Sequence, residues 1–537
     1  MNILIHNACR RQALWQTVIS ELGIAHYSPL PSSSSLHKRQ SSIQVKQQQQ
    51  QQQRSFQHWL KKMNFTLQNK KRLLLSITSV VLFVFLICVL VPTETYSSIP
   101  SYHNSEKNNI VAQELLSDHC STPHPGKPLV QYAIMIDAGS SGSRVHVYKF
   151  NHCKEEPELE NEIFHMLEPG LSSFDDNAEG AADSLEELLQ IAVDSVPKAM
   201  QHCTPIAVKA TAGLRLLGAE KSDRILQAVR TRLQDKYPFP IADIEIMDGK
   251  DEGVYAWITV NYLLGNLKAS ERSKSAATFD LGGASTQIVF EPEFVLDMEH
   301  MLPGDHVYEL DYAHQKYSLY QHSYLGYGLK EARKLIKSQV IETWKEEALA
   351  SGKVYHPCLP KDHKETIKWT SESVTKNVEL IGTGAGHAAC RGVIEKVFAK
   401  EKECPLAPCA FDGVYQPPLT ETFGDRDLYV FSFFYDLTQP LGMPMQFTVR
   451  EFGELANRVC SEDPEAFRHV PDALSILKRS PEYCLDLTYT HALLRIGYDV
   501  PPERLVRTAK KIRDAETGWC LGASIAMIDN NQLCQRN

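Results

Sequence analysis

Two short stretches of the sequence combine an aspartate, small residues and hydroxyl groups in a pattern that could bind phosphate. In the first, residues 132–150, an apolar run ends in Asp137, a small-residue turn follows at 138–143, and a second alternating run begins. This pattern predicts a β-hairpin. Glycine lets the turn backbone approach a ligand, and successive N–H groups there can cradle an anion. An aspartate at the strand end can hold a hydrated divalent cation beside the phosphate.

A second copy of this pattern lies within residues 276–290. A short apolar strand ends in Asp280, a small-residue turn follows at 281–285, and another strand is predicted at 286–290. Two such units in one chain indicate an internal duplication. Two hairpins that face each other could hold a phosphate chain and its cation from both sides, which suits in-line phosphoryl transfer.

The segments between the two hairpins are expected to position further polar residues. Hydrophobic spacing predicts helices at 184–200, 214–217 and 225–233, and strands at 206–210 and 241–247. Thr211 follows the first of these strands, where its hydroxyl could face a metal or phosphate or could cap the next helix. Glu252 opens a helix that runs to about residue 264. Its carboxylate could interact with the helix dipole, or it could serve as a general base toward water.

Other nucleotide- and metal-binding patterns are weak in this sequence. No Gly-x₄-Gly-Lys-Ser/Thr occurs, which excludes a P-loop ATPase on its own motif. The glycine-rich run at 382–386 fits dinucleotide-binding spacing poorly, and Cys390 favours a disulfide-tied turn there. No Cys-x₂-Cys or His-x₃-His pair occurs in the sequence, which argues against a zinc site. The aromatic run at 427–435 and the tyrosine within 484–494 are more typical of a core than of a base-stacking surface.

The N-terminal part of the chain predicts a membrane anchor. Residues 1–72 hold eleven Lys or Arg and one acid, with serine-rich and glutamine-rich runs, a composition that indicates disorder. Residues 73–91 carry no charge and are long enough to cross a bilayer. Basic residues directly before this run place the N-terminus in the cytosol. The sequence therefore predicts a single-pass type II protein with a cytosolic tail at 1–72, a signal anchor at 73–91 and a lumenal stem at 92–127.

Charge and cysteine usage agree with a lumenal catalytic region. The net charge is −9 and the tail carries +10, so the remainder carries −19, which argues against nucleic-acid partners. Eleven of the thirteen cysteines lie beyond the predicted span, where disulfides persist. Connectivity cannot be read from a sequence, so pairing of neighbours is a hypothesis. It gives Cys153–Cys203, Cys358–Cys390, Cys404–Cys409, Cys460–Cys484 and Cys520–Cys534, with Cys120 left over.

Six motifs occur in the order found in the apyrase family of nucleoside di- and triphosphate diphosphohydrolases, which the chain resembles over residues 128–537. They are DAGSSGSR (137–144), KATAGLRLL (209–217), DEGVYAWITVNYLLG (251–265), FDLGGASTQIVF (279–290), FSFFYDLT (431–438) and GWCLGAS (518–524). Within the family, residues 323–333, 404–419, 428–444 and 483–489 look most like the guanosine diphosphatases of the fungal Golgi.

The resemblance implies an architecture. It is an α/β fold with two actin/ribonuclease-H-like lobes and the active site in the cleft between them, preceded by one N-terminal transmembrane helix. The first lobe would comprise residues 128–249 and would be completed by about 512–537. The second lobe would comprise residues 250–511.

The resemblance also implies roles for individual residues. Glu252 would activate the attacking water, and Ser285 and Gln287 would help to place it. A divalent cation (Ca²⁺, Mg²⁺ or Mn²⁺) would be held through its hydration shell by Asp137 and Asp280, with Thr211 and Trp519 nearby. Phosphate would be bound by Ser140, Ser141, Gly142, Ser143 and Thr211 on one side and by Gly282, Gly283, Ala284 and Ser285 on the other. Tyr435 and Tyr489 would sandwich the base.

The function implied by the resemblance is that of a Golgi-lumenal nucleoside diphosphatase. Such an enzyme would hydrolyse GDP, and also UDP, to the monophosphate by metal-assisted attack of water, in support of protein glycosylation and sugar-nucleotide exchange. Self-association into a homo-oligomer is a further expectation. Two alternatives stay open: a broad-specificity apyrase that also acts on triphosphates, and a membrane-tethered nucleotide-binding protein without turnover. A kinase or chaperone of the same two-lobed superfamily is disfavoured by Glu252 and by the lumenal placement.

Overall fold

The computed structural model describes residues 116–268, 271–294, 301–371, 374–530 and 534. The predicted cytosolic tail, the predicted span and most of the predicted stem lie outside these residues. In the described part of the chain, no helix is both long enough and apolar enough to cross a membrane.

The described elements up to residue 264 are five strands and five α-helices, beginning with three successive strands. The strands are β1 (Val130–Ala138), β2 (Ser143–Asn151), β3 (Glu158–Leu167), β4 (Ile206–Ala210) and β5 (Ile241–Ile246). The helices are α1 (Ala178–Asp183), α2 (Glu186–Ser195), α3 (Ala212–Leu217), α4 (Ala219–Lys236) and α5 (Gly249–Leu264). β4 has the predicted bounds. α2 ends before the predicted residue 200, because Pro197 keeps the preceding residue, Val196, in an extended conformation.

The rest of the described chain adds a larger set of elements. Its strands are β6 (Leu267–Lys268), β7 (Glu271–Arg272), β8 (Ala277–Leu281), β9 (Ser285–Phe290), β10 (Val307–Tyr312), β11 (Gln315–Leu325), β12 (Lys353–His356), β13 (Lys364–Ser371), β14 (Val374–Gly382), β15 (Leu428–Ser432), β16 (Gln446–Thr448), β17 (Leu505–Thr508), β18 (Lys511–Ile512) and β19 (Ala515–Glu516). Its helices are α6 (Leu329–Thr343), α7 (Lys345–Ser351), α8 (His387–Ile394), α9 (Leu419–Thr422), α10 (Phe433–Thr438), α11 (Val449–Cys460), α12 (Ala473–Arg479), α13 (Tyr483–Ala492) and α14 (Cys520–Asn530).

Two sheets repeat the same strand arrangement. The first has the order β3-β2-β1-β4-β5, and the second contains the order β11-β9-β8-β15-β17, flanked by β10 and β16. In each, the first three strands pair antiparallel and the last two are added in parallel. The predicted hairpins are the corresponding pairs β1–β2 and β8–β9. The α/β class and the internal duplication are therefore confirmed, while the predicted lobe boundaries stay a prediction.

β1 is buried along its whole length because helices cover both of its faces. Met135 packs in one apolar cluster with Leu521 of α14. Ile134 and Ile136 pack in another cluster with Leu188 of α2. Successive strand residues point to opposite faces, so a strand covered on both sides is a continuous apolar run. This packing brings the C-terminal segment against the strand that carries the first hairpin turn.

Three of the predicted disulfides are confirmed and two are wrong. Cys358–Cys390, Cys404–Cys409 and Cys460–Cys484 are formed. Instead of the other two predicted pairs, Cys120 is bonded to Cys153 and Cys203 to Cys534, and Cys520 is a buried free thiol. Pairing of neighbours fails for Cys534 because this residue lies against β1, far from Cys520. Cys534 N donates a hydrogen bond to Gln131 Oε1 in that strand at 2.9 Å.

Candidate active site

The turns of the two hairpins lie against each other. A Cβ atom added to Gly283 in the second turn would lie 2.5 Å from Ser140 Oγ and 2.7 Å from Ser141 Oγ in the first. A side chain at this position would displace both hydroxyls, so glycine lets the two turns approach each other closely. The hydroxyls of one turn and the backbone of the other border the same small space, as a phosphate cradle built from two sides requires.

The first hairpin presents several buried polar atoms without protein partners. Asp137 lies opposite Arg144 in the hairpin register, and Arg144 Nη1 donates to Asp137 Oδ2 at 2.7 Å. Asp137 Oδ1, Ser141 Oγ and Ser143 Oγ are buried and have no hydrogen-bond partner within the described residues. Buried polar atoms are normally hydrogen-bonded, so this cluster indicates a ligand site.

The second hairpin places Asp280 beside Asp137. Asp280 lies opposite Gln287 in the register, and its Oδ1 is also buried without a partner among the described residues. Burial raises the pKa of Asp280 to about 6; a hydrogen bond from Ser432 lowers it, and the negative charge of Asp137 raises it. A carboxylate whose pKa is raised by the charge of a neighbouring carboxylate favours a cation near the two groups.

This donor set fits a hydrated divalent cation. Carboxylate oxygens are the ligands that Ca²⁺ and Mg²⁺ prefer, and Mg²⁺ commonly keeps several of its waters. The described part of the chain has no cluster of three or more His, Cys, Asp or Glu that could hold a metal directly. Asp137 and Asp280 would therefore share the cation with water and phosphate oxygens, as the sequence predicts.

Glu252 is buried in the first turn of α5 and lines a cavity that also contains Asp137 and Asp280. The helix is capped by Asp248, whose side chain accepts a hydrogen bond from Lys250 N at 3.0 Å, so Glu252 is not the capping residue. Arg215 Nη2 donates to Glu252 Oε2. Burial raises the pKa of Glu252 to about 8, and Arg215 is the main influence that lowers it. A carboxylate with a pKa near the working pH suits general base catalysis.

Ser285 and Gln287 lie next to the cavity wall, not in it. Gln287 Nε2 donates to Ser285 Oγ at 2.8 Å and to Ser323 Oγ at 2.9 Å. A Cβ atom at Gly253 would lie 3.2 Å from Gln287 Cβ, so α5 packs closely on this side chain. The polar network is thus fixed beside the helical turn that carries Glu252. The role of these two residues in placing water stays a prediction.

A cavity of about 250 Å³ brings most of the predicted site residues together. Its walls include Asp137, Ser140, Ser141, Thr211, Glu252, Asp280, Gly282, Gly283, Tyr435 and Trp519. Outside the walls but within the same two hairpins are Gly142, Ser143, Ala284, Ser285 and Gln287. Thr211 holds the N-cap position of α3 without a side-chain capping hydrogen bond, so its hydroxyl is left to the cavity. A larger cavity of about 490 Å³, at Cys358 and Cys460, contains none of the predicted site residues.

Tyr489 is the one predicted site residue that the structure places elsewhere. It is fully buried, its hydroxyl donates to the backbone oxygen of Tyr327, and its ring stacks on Phe398 with centroids 5.8 Å apart. The aromatic core therefore encloses this ring, and no face of it is open to a base. The part of the prediction that sandwiched the base between Tyr435 and Tyr489 is not supported. Tyr435 itself is half-buried and lines the cavity.

Several polar residues of the site were not singled out in the sequence. Arg144 faces Asp137 across the hairpin, and Arg215 pairs with Glu252. Arg215 follows Thr211 by four residues at the start of a helix, which places both on one helical face, and this spacing could have identified it. Ser323 comes from β11 and gives no local signal.

The site combines two opposed turns, two buried aspartates and a glutamate of raised pKa on a repeated α/β sheet. This combination is typical of enzymes that act on phosphate groups. Residues 126–536 match the GDA1/CD39 (nucleoside phosphatase) family, and the chain belongs to this family.

Individual proteins that are similar in sequence or in structure support this assignment. The chain is 48% identical over 461 residues to the guanosine-diphosphatase of Schizosaccharomyces pombe, and the match covers 83% of each chain. It is 47% identical over 442 residues to the guanosine-diphosphatase of Saccharomyces cerevisiae, covering 78% of this chain and 83% of the other. A nucleoside triphosphate hydrolase structure from Neospora caninum has a TM-score of 0.54 at 15% identity and covers 79% of this chain and 95% of that one. The last similarity concerns the fold alone.

Proposed function

We propose that this protein is a nucleoside diphosphatase that hydrolyses GDP, and also UDP, to the monophosphate and phosphate. The observation that carries the proposal is that Glu252, Asp137 and Asp280 line one cavity together with both hairpin turns. Identity of 47–48% to curated guanosine-diphosphatases, over most of each chain, supports the choice of substrate. We further propose that the two repeated sheets are the cores of two actin/ribonuclease-H-like lobes, with the nucleotide in the cleft between them.

Each part of the site has a proposed task. Asp137 and Asp280 hold the divalent cation, which when bound neutralises charge on the phosphate groups. Ser140, Ser141 and the N–H groups of Gly283 and Ala284 hold the phosphate chain from both sides, while the N–H of Gly282 closes the turn by donating to Ser285 O at 3.0 Å. Glu252 accepts a proton from the attacking water, so that water attacks the terminal phosphorus without a phosphoenzyme. Arg215 holds the Glu252 carboxylate in place and favours its charged form.

Phosphate release by the purified full-length chain tests this proposal. We expect release from GDP and UDP with Ca²⁺, Mg²⁺ or Mn²⁺ and none after addition of a chelator. Equal rates with GTP would instead support the broad-specificity apyrase. Binding of GDP without release from any nucleotide would overturn the enzymatic function and favour a tethered binding protein.

We propose, from the sequence pattern at 1–127, that the chain is a type II protein of the Golgi membrane with its catalytic region in the lumen. The monophosphate product would then be available for exchange against sugar nucleotides. Fluorescence microscopy of the tagged full-length chain, with protease protection of the part beyond residue 92, tests this placement. Cleavage of that part in intact vesicles would contradict it.

A further inference from the structure

The cavity between the hairpins borders a second depression. This depression has a volume of about 630 Å³, and the two spaces share Tyr435 and Lys510 in their walls. The first space contains the phosphate-binding turns with Asp137 and Asp280. A nucleotide with its phosphates at the turns would therefore have its base near Tyr435 and Lys510. Aromatic rings such as that of Tyr435 stack on any base and do not distinguish one from another.

Asp436 and Lys510 are brought to this region by two neighbouring strands. β15 and β17 pair in parallel, so that both end at the same edge of the sheet. Asp436 follows Tyr435 in the first turn of α10, directly after β15. Lys510 lies two residues beyond β17, and its carbonyl accepts hydrogen bonds from the N–H and the hydroxyl of Thr517 at 2.9 and 3.1 Å. These bonds fix the backbone that carries the lysine.

The two side chains carry opposite charges, and the charge of Lys510 also acts on Glu516 in the same cavity wall. Both are exposed in the cavity wall, and neither forms an ion pair or a side-chain hydrogen bond with another described residue. Desolvation raises the pKa of Asp436, and the nearby charges of Lys510 and then Arg144 oppose this. An acceptor-only carboxylate beside a donor-only ammonium suits a ligand edge that offers a donor beside an acceptor.

We propose that Asp436 and Lys510 read the edge of the nucleotide base and select guanine, hypoxanthine and uracil over adenine and cytosine. The proposal rests on the proposed diphosphatase function and adds its base specificity. Guanine and hypoxanthine present N1–H beside the O6 carbonyl, and uracil presents N3–H beside O4. Asp436 accepts from the ring N–H, and Lys510 donates to the carbonyl oxygen.

The rejected bases place the opposite groups at the same positions. Adenine and cytosine have an unprotonated ring nitrogen facing the carboxylate and an amino group facing the ammonium. Once a bound nucleotide covers Asp436 and Lys510, a base that leaves these groups without a complementary partner is disfavoured. Guanine also offers its exocyclic amino group to the second oxygen of Asp436, so GDP should be the best of the three accepted substrates.

The test compares kcat/KM of the full-length chain on GDP, IDP, UDP, ADP and CDP. The variants are Asp436→Asn and Lys510→Met, with Asp235→Asn on the exposed face of α4 as the matched control. We expect Asp436→Asn to lower kcat/KM for GDP by about 10- to 100-fold, the discrimination of one bidentate base contact. The value for ADP should stay the same or rise, since the asparagine amide can donate to the ring nitrogen. Lys510→Met should likewise reduce GDP and UDP hydrolysis more than ADP hydrolysis.

Each other outcome overturns a specific statement. An equal loss on all five substrates in Asp436→Asn would show that this residue acts on the shared part of the nucleotide. Equal wild-type rates on all five would overturn the base readout and leave the diphosphatase function intact. If the wild type hydrolyses none of them, the proposed function fails. Calorimetric binding of GDP against ADP then still decides the base readout.

Discussion

Arg215 and Glu252 form an ion pair inside the candidate active site, with side chains only 17% and 9% exposed. Glu252 comes from the first turn of α5, and Arg215 comes from α3. The pair joins the proposed base to the segment that also carries Thr211. The ion pair fixes the Glu252 carboxylate and controls the pH range in which this carboxylate can accept a proton.

Loss of Arg215 should move the pH dependence of hydrolysis. Glu252 acts as a base only when deprotonated, so activity is present above its pKa and is lost as the pH falls through it. Burial raises this pKa to about 8 and Arg215 lowers it, so Arg215→Met should raise it further. We expect the pH profile of kcat/KM to shift to higher pH by about one unit or more. An unshifted profile would show that the pair does not control the catalytic proton.

Asp280→Asn should weaken the use of the divalent cation. Removal of one carboxylate should lower the apparent affinity for Mg²⁺ or Ca²⁺ by about 10-fold or more. It should also abolish the rise in melting temperature that the cation produces in the presence of GDP. In the wild type, cation affinity should fall as the pH drops below about 6, because Asp280 then takes up a proton. A variant with unchanged cation dependence would contradict the assignment.

Tyr435 and Tyr489 should respond to substitution in different ways. Tyr435→Ala removes a ring from the cavity wall and should raise KM about 10-fold or more, the value of one base-stacking contact. Tyr489→Phe removes a buried hydroxyl that donates to Tyr327 O, and should lower the free energy of unfolding by about 1 kcal/mol with KM unchanged. Steady-state kinetics and chemical denaturation measure the two effects. A raised KM in Tyr489→Phe would return this residue to the site.

The Cys203–Cys534 disulfide should matter more for stability than the Cys404–Cys409 disulfide. The first joins residues 331 positions apart and the second residues 5 apart. Because a crosslink restricts the unfolded chain more when its loop is longer, we expect losses of about 5 kcal/mol and about 2 kcal/mol. Thermal melts of Cys203→Ala/Cys534→Ala and Cys404→Ala/Cys409→Ala test this order. A reversed order would show that the C-terminal link constrains little of the unfolded chain.

The local features of the site could be predicted from the sequence, and the distant pairings could not. Asp137 and Asp280 can be identified in the sequence because apolar strands and small-residue turns have signals only a few residues long. Arg215 and Glu252 are 37 positions apart, and only tertiary packing brings them together. The same holds for Cys203 and Cys534. Tyr489 carries no local sign that its ring lies inside the aromatic core, because burial depends on which other elements cover it.

The measurement that tests the account most directly is hydrolysis of GDP by Glu252→Gln beside the wild type, with GDP binding measured on both. The substitution keeps the size of the side chain and removes its ability to accept a proton. We predict a loss in kcat of about 10²- to 10⁴-fold, the usual contribution of a general base, with GDP still bound. Melting temperatures of both proteins show whether the fold is kept, because the substitution also removes the ion pair between Glu252 and Arg215. A variant that hydrolyses GDP at the wild-type rate would contradict the assignment of Glu252 as the base.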